Sequence, residues 1–156
     1  MNQDLKICPA IPEMEGLIAD FFQILEEAQE GDFFQPHPFT SEQAAIIANY
    51  PGKDFYALVV YKGKMIGYGL LRGWDEGHDI PSLGISIHPV FRGAGIGLLL
   101  MHYLHAVATL KGAVNMRLRV NKINHRAKQL YEKLGYVFEE DNEDYLVGFL
   151  KLKQPL

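Results

Sequence analysis

The chain has 156 residues, of which 48% are apolar, 22% charged and 12% aromatic, a composition typical of one globular domain. Cys8 is the only cysteine, which excludes an internal disulfide and makes a reducing cytoplasmic setting the expected one. Residues 1–6 lack the features of a secretory leader, and apolar runs are too short to span a membrane. We therefore expect a single domain over residues 1–156 with no membrane segment.

The formal net charge of −4 argues against nucleic acid or an anionic membrane as a partner. Its distribution is uneven, because residues 1–80 carry five basic and thirteen acidic side chains, whereas residues 81–156 carry ten and six. Within residues 91–133, eight basic side chains stand against one acidic side chain, a local charge of +7. This pattern favours a localised site for an anion, with a solvated helix face as the structural alternative.

The N-terminal part is predicted to contain one strand followed by two helices. Apolar residues recur at spacings of three and four over residues 11–28, which predicts an amphipathic helix ending near Gly31. Residues 31–39 are rich in aromatic residues and proline and are predicted to form a loop. Thr40 begins a capping-box pattern that predicts a short second helix ending at about Asn49.

Three strands are predicted next. Residues 55–61 and 65–72 flank the glycine-containing turn at residues 62–64, which predicts a hairpin. A third strand is predicted over about residues 83–88, ending at Pro89.

The C-terminal part is predicted to alternate helices and strands. The predicted elements are a helix over residues 98–111 that is buried on most sides, a strand over 114–120, a helix from about Asn124 to Leu134, and two strands over 136–138 and 145–152. The whole order predicts an α/β (α+β) fold with a mixed, mostly antiparallel sheet of about seven strands flanked by helices on both faces.

A glycine-rich turn joins the third predicted strand to the apolar helix, with Gly93, Gly95 and Gly97 at its end. Such a turn exposes main-chain N–H groups at a helix N-terminus, where phosphate oxygens bind, and Arg92 adds a cation. The absence of a following Gly-Lys-Ser/Thr excludes the P-loop of nucleotide triphosphatases, and the glycine spacing differs from the dinucleotide fingerprint. The turn alone also permits a purely structural role.

The pattern Arg92-x-x-Gly95-x-Gly97 resembles the acyl-CoA pyrophosphate loop of the GNAT superfamily of N-acetyltransferases, whose signature is Gln/Arg-x-x-Gly-x-Gly/Ala. Residues 124–136 resemble a second segment of that family, with the order Asn, Ala, Tyr and Gly-Phe/Tyr. The predicted order of elements agrees with the family over nearly the whole chain. The resemblance implies a GNAT-like acyl-CoA N-acyltransferase fold with acetyl-CoA as co-substrate.

The resemblance also implies a sheet splayed between the strands at residues 83–88 and 114–120, with coenzyme A in the gap. Main-chain groups of Ile85 and Ile87 would pair with the pantetheine arm, and the Ile87 N–H would polarise the thioester carbonyl. Asn124 would hydrogen-bond the pantetheine. The pyrophosphate would lie on amides of Arg92, Gly93, Ala94, Gly95, Ile96 and Gly97.

Acetyl transfer needs a neutral amine, a polarised thioester carbonyl and a proton for the departing sulfur. Tyr131 matches the family position for the acid, and a phenol of ordinary pKa near 10 stays protonated at neutral pH. The alternative interpretation is that Tyr131 only packs against coenzyme A or hydrogen-bonds to it.

The chain departs from the family pattern at the position of the general base. Many members carry a carboxylate ten or eleven residues before the loop arginine, where this chain has Ser82 and Pro81. Glu76 and Asp79, in the preceding loop, are the expected direct or water-mediated bases, with a solvated acidic turn as the alternative. Phe33, Phe34 and Trp74 are expected to line the acceptor pocket, although loop packing is equally consistent with these aromatic residues.

The sequence thus predicts an N-acetyltransferase that acts by direct attack of a primary amine, on a small amine, an amino sugar, or a peptide or protein. No metal is expected, because His102 and His105 have no accompanying carboxylate. The alternative is a non-catalytic acyl-CoA-binding sensor or scaffold, which the missing strand-four carboxylate keeps open. The oligomeric state is also open, with a homodimer among the alternatives.

Overall fold

The computed structural model describes residues 4–32 and 36–155, and a seven-stranded sheet runs through them. The strands are β1 (Leu5–Pro9), β2 (Phe55–Tyr61), β3 (Lys64–Arg72), β4 (Ser82–Ile87), β5 (Asn115–Asn121), β6 (Val137–Glu140) and β7 (Tyr145–Lys151). They lie side by side in the order β1-β2-β3-β4-β5-β7-β6. Within this described region β4 and β5 run parallel, whereas the other neighbouring strands are antiparallel. The predicted mixed, mostly antiparallel sheet is confirmed.

In the described part of the chain, four α-helices cover the two faces of this sheet: α1 (Glu15–Glu27), α2 (Ser41–Ala48), α3 (Ile96–Leu110) and α4 (His125–Lys133). Residues alternate between the faces along each strand, so that Leu58 of β2 packs with α1 and α2 whereas Val59 packs with α3. Each face therefore has its own apolar cluster, and the helices lie on both sides as predicted. No α-helix in the described ranges is long and apolar enough to cross a membrane.

Local sequence signals account for several element boundaries. The Thr40 hydroxyl accepts a hydrogen bond from the Gln43 N–H at 3.1 Å and begins α2, as the capping pattern predicts. Lys62 and Gly63 adopt φ values of 49° and 77°, which are typical of the two-residue turn that closes a hairpin such as β2–β3.

Two helices differ from the sequence-based expectation. Helix α1 ends at Glu27 rather than near Gly31, because Gln29 takes a left-handed conformation with φ 59°. Helix α3 buries one stripe, which includes Leu100 and Leu104, while Leu110 is 83% exposed. The expectation that α3 is buried on most sides is therefore wrong, since only its inward stripe faces the sheet.

The sheet separates into two parts between β4 and β5. These strands share one register pair, Ser82 with Arg117, where the Arg117 N–H donates to the Pro81 carbonyl at 3.1 Å. Beyond this point the strands diverge, so that the C-terminal halves of β4 and β5 form the two sides of a gap. This splay is what the resemblance implied, and it positions the candidate site.

Candidate active site

A cleft of about 880 Å³ occupies the gap between β4 and β5, within the usual range for small-molecule sites. Its lining comes from β3, β4, β5, the turn before α3, helix α4, the loop between β3 and β4, and the segment after α1 that contains Glu30 and Pro36. The cleft thus brings together the two sequence segments that resemble the family, although about thirty residues separate them along the chain.

The turn before α3 presents main-chain amides at one end of this cleft. Gly93 and Gly95 have φ values of 81° and 86°, which side chains other than glycine rarely adopt. Gly95 caps α3 without any side-chain hydrogen bond, and the Leu99 N–H is the one that bonds back to the Gly95 carbonyl, at 3.1 Å. The first-turn amides of α3 thus have no intrahelical acceptor, which is the arrangement found where helix N-termini bind anions, and Gly95 and Gly97 line the cleft.

Arg92 ties this turn to the neighbouring elements. Its guanidinium donates to the Ile87 carbonyl at 3.2 Å, at the end of β4. It also forms an ion pair with Glu30 at 2.8 Å, on the segment that follows α1. Both Arg92 and Glu30 line the cleft, so a carboxylate partly balances the arginine charge at this end.

The main chain of β4 faces the gap at alternate residues. The His88 N–H donates to the Ile66 carbonyl of β3 at 2.8 Å, so the even-numbered residues of β4 direct their polar main-chain groups to β3. The Pro81 carbonyl points instead to β5. Ile85 and Ile87 therefore direct their N–H and C=O groups into the gap. Because β5 has diverged here, an extended ligand could hydrogen-bond to these groups in place of a neighbouring strand.

Helix α4 contributes Asn124 and Tyr131 to the opposite wall. The Asn124 side-chain oxygen accepts from the Ala127 N–H at 3.4 Å, which caps the helix and leaves the side-chain NH₂ to donate elsewhere. Tyr131 is 7% exposed, and burial raises the pKa of its phenol above the ordinary value. A phenol of this kind is a proton donor throughout the neutral range.

Glu76 and His78 stand at the other side of the cleft, in the loop between β3 and β4. The His78 Nε2 lies 3.7 Å from the Glu76 carboxylate, and both side chains are about two-thirds exposed. The preceding Asp75 has a structural role, because its carboxylate accepts from the Tyr50 hydroxyl and from the Lys53 and Asp54 N–H groups. These bonds anchor the turn that carries Glu76.

Several predicted site residues are located elsewhere. Trp74 packs on the α3 side of the sheet, with the Lys111 ammonium 5.4 Å from its ring, and is not among the described residues that line the cleft. Asp79 is exposed and lies outside this lining. Ala94 and Ile96 of the glycine turn also lie outside it. Phe33 and Phe34 lie outside the described residues. The expectation that Trp74 lines the acceptor pocket is therefore wrong, because its ring packs beside Lys111 on the α3 side of the sheet.

The cleft is strongly cationic, and all of its arginines and lysines except Arg72 belong to the basic window at residues 91–133. Its basic side chains are Arg72, Arg92, Arg117, Arg119, Arg126 and Lys133. Two carboxylates, Glu30 and Glu76, line the same cleft. The alternation of polar and apolar residues in β5 indicated that Arg117 and Arg119 share a face, but only strand pairing shows that this face borders the gap. No cluster of three or more metal-ligating side chains occurs in residues 4–32 and 36–155.

The acetyltransferase (GNAT) family model matches residues 18–136 of the chain. Among curated relatives, the thialysine N-epsilon-acetyltransferase of Bos taurus is 35% identical over 135 residues, which cover 84% of this chain and 75% of the relative. The enzyme of the same name from Mus musculus is 33% identical over 145 residues, covering 89% and 84% of the two chains.

Solved structures show the same fold. The GNAT domain of S. lividans PAT superimposes with a TM-score of 0.83 at 12% identity, covering 95% of this chain and 90% of that chain. The PaiA N-acetyltransferase of Thermoplasma acidophilum, solved in complex with coenzyme A, gives a TM-score of 0.78 at 14% identity, covering 96% and 99%. With the family model spanning most of its length, the chain belongs to the acetyltransferase (GNAT) family and is an acetyl-CoA-dependent N-acetyltransferase.

Proposed function

We propose that the enzyme acetylates the primary amine of a small molecule, which attacks the thioester of acetyl-CoA directly inside the β4–β5 cleft. The observation that carries this proposal is the meeting of uncapped α3 amides, gap-facing β4 amides and a buried phenol in one cleft of suitable size. The curated relatives named above favour a small amine, since their names specify the side-chain nitrogen of a lysine analogue.

The glycine turn and β4 would hold acetyl-CoA. Amides between Arg92 and Gly97 would bind the diphosphate, with the α3 dipole and the Arg92 charge favouring its negative oxygens. The gap-facing groups of Ile85 and Ile87, with the Asn124 NH₂, would bind the pantetheine arm. The co-substrate supplies an activated acetyl group and a sulfur leaving group. The Ile87 N–H would donate to the carbonyl oxygen, on which negative charge develops during attack.

Two proton transfers accompany the reaction. A carbon–nitrogen bond forms between the acetyl carbon and the amine, and the carbon–sulfur bond breaks. Tyr131 would give its proton to the departing sulfur: its place in the cleft wall suits this role, and its raised pKa keeps the phenol protonated until the thiolate leaves. Glu76, directly or through His78 or a water molecule, would take the proton that the amine loses. Asp79 is not retained as a base because of its position outside the cleft lining.

We further propose that residues 1–156 act as a single domain in the cytoplasm, with small molecules rather than nucleic acid or membrane as partners. The net charge of −4 supports this restriction, because the cations concentrate around the cleft while the chain as a whole repels polyanions. Formation of a homodimer would leave this assignment of the site unchanged, because every residue given a role here belongs to one chain.

The proposal is tested by measuring free coenzyme A release from acetyl-CoA across a panel of small amines, peptides and proteins. We expect small primary amines to give turnover well above hydrolysis. In Tyr131→Phe, kcat should fall by about 10²- to 10⁴-fold with a nearly unchanged KM for acetyl-CoA. Tyr103→Phe, on α3 and outside the cleft lining, is the matched control.

The two parts of the proposal fail separately. If no small amine exceeds the hydrolysis background, the assignment of the acceptor is wrong. Undiminished turnover in Tyr131→Phe would remove only the acid role of Tyr131, because attack and binding would remain.

A further inference from the structure

Two arginines and a serine form a transverse row at the closed end of the cleft. Arg72 of β3 is the register partner of Ser82 on β4, and Ser82 is the register partner of Arg117 on β5. Register partners on neighbouring strands project to the same face of a sheet. These residues, called here the Arg72–Ser82–Arg117 row, therefore lie side by side across three strands.

The row lies on the face of the sheet opposite to α3. Leu71, Leu83 and Leu118, each adjacent in sequence to one of the three row residues, belong to the apolar cluster that packs against α3. Because side chains alternate along a strand, the row residues project to the α1 and α2 side. All three line the cleft. The row therefore lies on one side of the cleft, and the N-terminal end of α3, where the diphosphate is proposed to bind, lies on the other.

Among the residues that the structure describes, the two guanidiniums of the row donate to neutral oxygens. The Arg72 Nη1 donates to the Pro36 carbonyl at 2.6 Å, and the Arg117 Nη1 donates to the Ser82 hydroxyl at 2.9 Å. Within residues 4–32 and 36–155, no ion pair to a carboxylate involves either of them, whereas Arg92 pairs with Glu30. Both arginines are half-buried, so their charges are not fully hydrated. An anion placed between them would satisfy donors that the protein leaves without a charged partner.

The spacing of the row fits a carboxylate. Neighbouring strands lie about 4.8 Å apart, so the two arginine Cα atoms are separated by about 10 Å and both side chains can reach a group above Ser82. A planar carboxylate accepts paired hydrogen bonds from guanidinium forks, and the serine hydroxyl offers a third donor. Along β4, Ser82 lies three residues from Ile85, about 10 Å at about 3.3 Å per residue.

We propose that the Arg72–Ser82–Arg117 row binds a carboxylate of the acceptor, so that the enzyme prefers an amine belonging to an amino acid or amino-acid-like molecule. This inference rests on the proposed function, because it assigns the acceptor end of the same cleft. The acceptor carboxylate lies on the row, and its flexible chain directs the amine along β4 towards the thioester. A simple diamine is disfavoured, because its second ammonium faces the two arginines.

The first experiment uses the wild-type enzyme and matched acceptors. L-lysine is compared with its decarboxylated counterpart cadaverine, and L-ornithine with putrescine, by kcat/KM at saturating acetyl-CoA. The carboxylate-bearing member of each pair should be favoured by at least about 10-fold, as expected for a charge-assisted hydrogen bond. A third comparison, 4-aminobutanoate with 3-aminopropylphosphonate, separates a carboxylate from a phosphate-like group. Equal or better turnover of the diamines overturns the proposal, and preference for the phosphonate overturns the carboxylate assignment.

The second experiment changes Arg117. In Arg117→Gln, kcat/KM for the carboxylate-bearing acceptors should fall by about 10- to 100-fold, mainly through KM, while the value for the diamines stays equal or rises. Arg117→Lys should recover part of the loss, since it restores the charge without the fork. Lys122→Gln removes one charge beside β5 from a residue outside the cleft lining and serves as control. Melting temperature and the KM for acetyl-CoA establish that each variant is folded and binds its co-substrate.

The outcomes distinguish this inference from the proposed function. If no amine of either class is acetylated, the proposed function fails before the row is tested by kinetics. If amines are acetylated but Arg117→Gln lowers both classes equally, the proposed function stands and the carboxylate site is refuted.

Discussion

His37 is expected to make the stability of the enzyme depend on pH in the mildly acidic range. The imidazole is 8% exposed and lies in an aromatic cluster with Phe22, Phe39 and Tyr68. Its Nδ1 faces the Pro38 carbonyl at 2.8 Å, so this nitrogen carries the donated hydrogen, and Nε2 accepts from the Tyr68 hydroxyl at 2.7 Å. Burial is the largest cause that lowers its pKa from 6.5 to about 4.

The sign and the magnitude follow from proton linkage. Between pH 6.5 and about 4 the unfolded chain binds a proton at this site that the folded protein does not bind. The free energy of unfolding therefore falls as the pH decreases from neutrality and levels off below the folded pKa. With these two pKa values, His37 alone should lower that free energy by about 2 kcal/mol between pH 8 and pH 5.

The assay is urea unfolding at pH 8 and pH 5 of the wild type and of His37→Gln, which does not titrate there. The wild type should lose about 2 kcal/mol more than the variant, because acidic groups and His105 contribute to both proteins and cancel in the comparison. Parallel losses in the two proteins would refute the reasoning. The effect should extend to the site, since His37 directly follows Pro36, whose carbonyl holds Arg72.

Two further predictions concern the α3 end of the cleft. Gly95→Ala places a side chain at φ 86°, so we expect it to cost about 1–2 kcal/mol of stability and to raise the KM for acetyl-CoA. Gly63→Ala carries a similar strain at φ 77° in a remote hairpin and should leave that KM unchanged; equal KM effects would contradict the role of Gly95. Glu30→Gln releases Arg92 from its ion pair and should lower the KM for acetyl-CoA by up to about fivefold. A raised KM for acetyl-CoA in steady-state kinetics would instead show that Glu30 orients Arg92 for binding.

Local signals in the sequence predicted the parts of the fold that depend on neighbouring residues. The capping residues Thr40 and Asn124 and the positive-φ turn after β2 act within a few positions, so their patterns are readable without the rest of the chain. The glycine turn belongs to the same class, because its exposed amides follow from its conformation. The end of α1 was missed, since Gln29 gives no strong local signal for a left-handed conformation.

The acceptor side of the site depends on contacts that no local pattern contains. The Arg72–Ser82–Arg117 row exists only through the register of three strands, one of them paired in parallel, and register is set by tertiary packing. Trp74 was predicted to face the cleft on residue type alone, but a loop side chain turns wherever packing is best, here towards Lys111. Asp79 lies outside the cleft lining, because proximity in sequence to Glu76 does not fix the direction of a side chain.

The single register pair between β4 and β5 has a consequence for amide exchange. The Ile85 and Ile87 amides have no strand partner, so solvent deuterium should replace their hydrogens rapidly in the free protein despite their central place in the sheet. A bound pantetheine arm would act as the missing partner and slow this replacement. The rate of amide hydrogen exchange at these two residues therefore reports whether acetyl-CoA or coenzyme A occupies the cleft, even when no acceptor is acetylated.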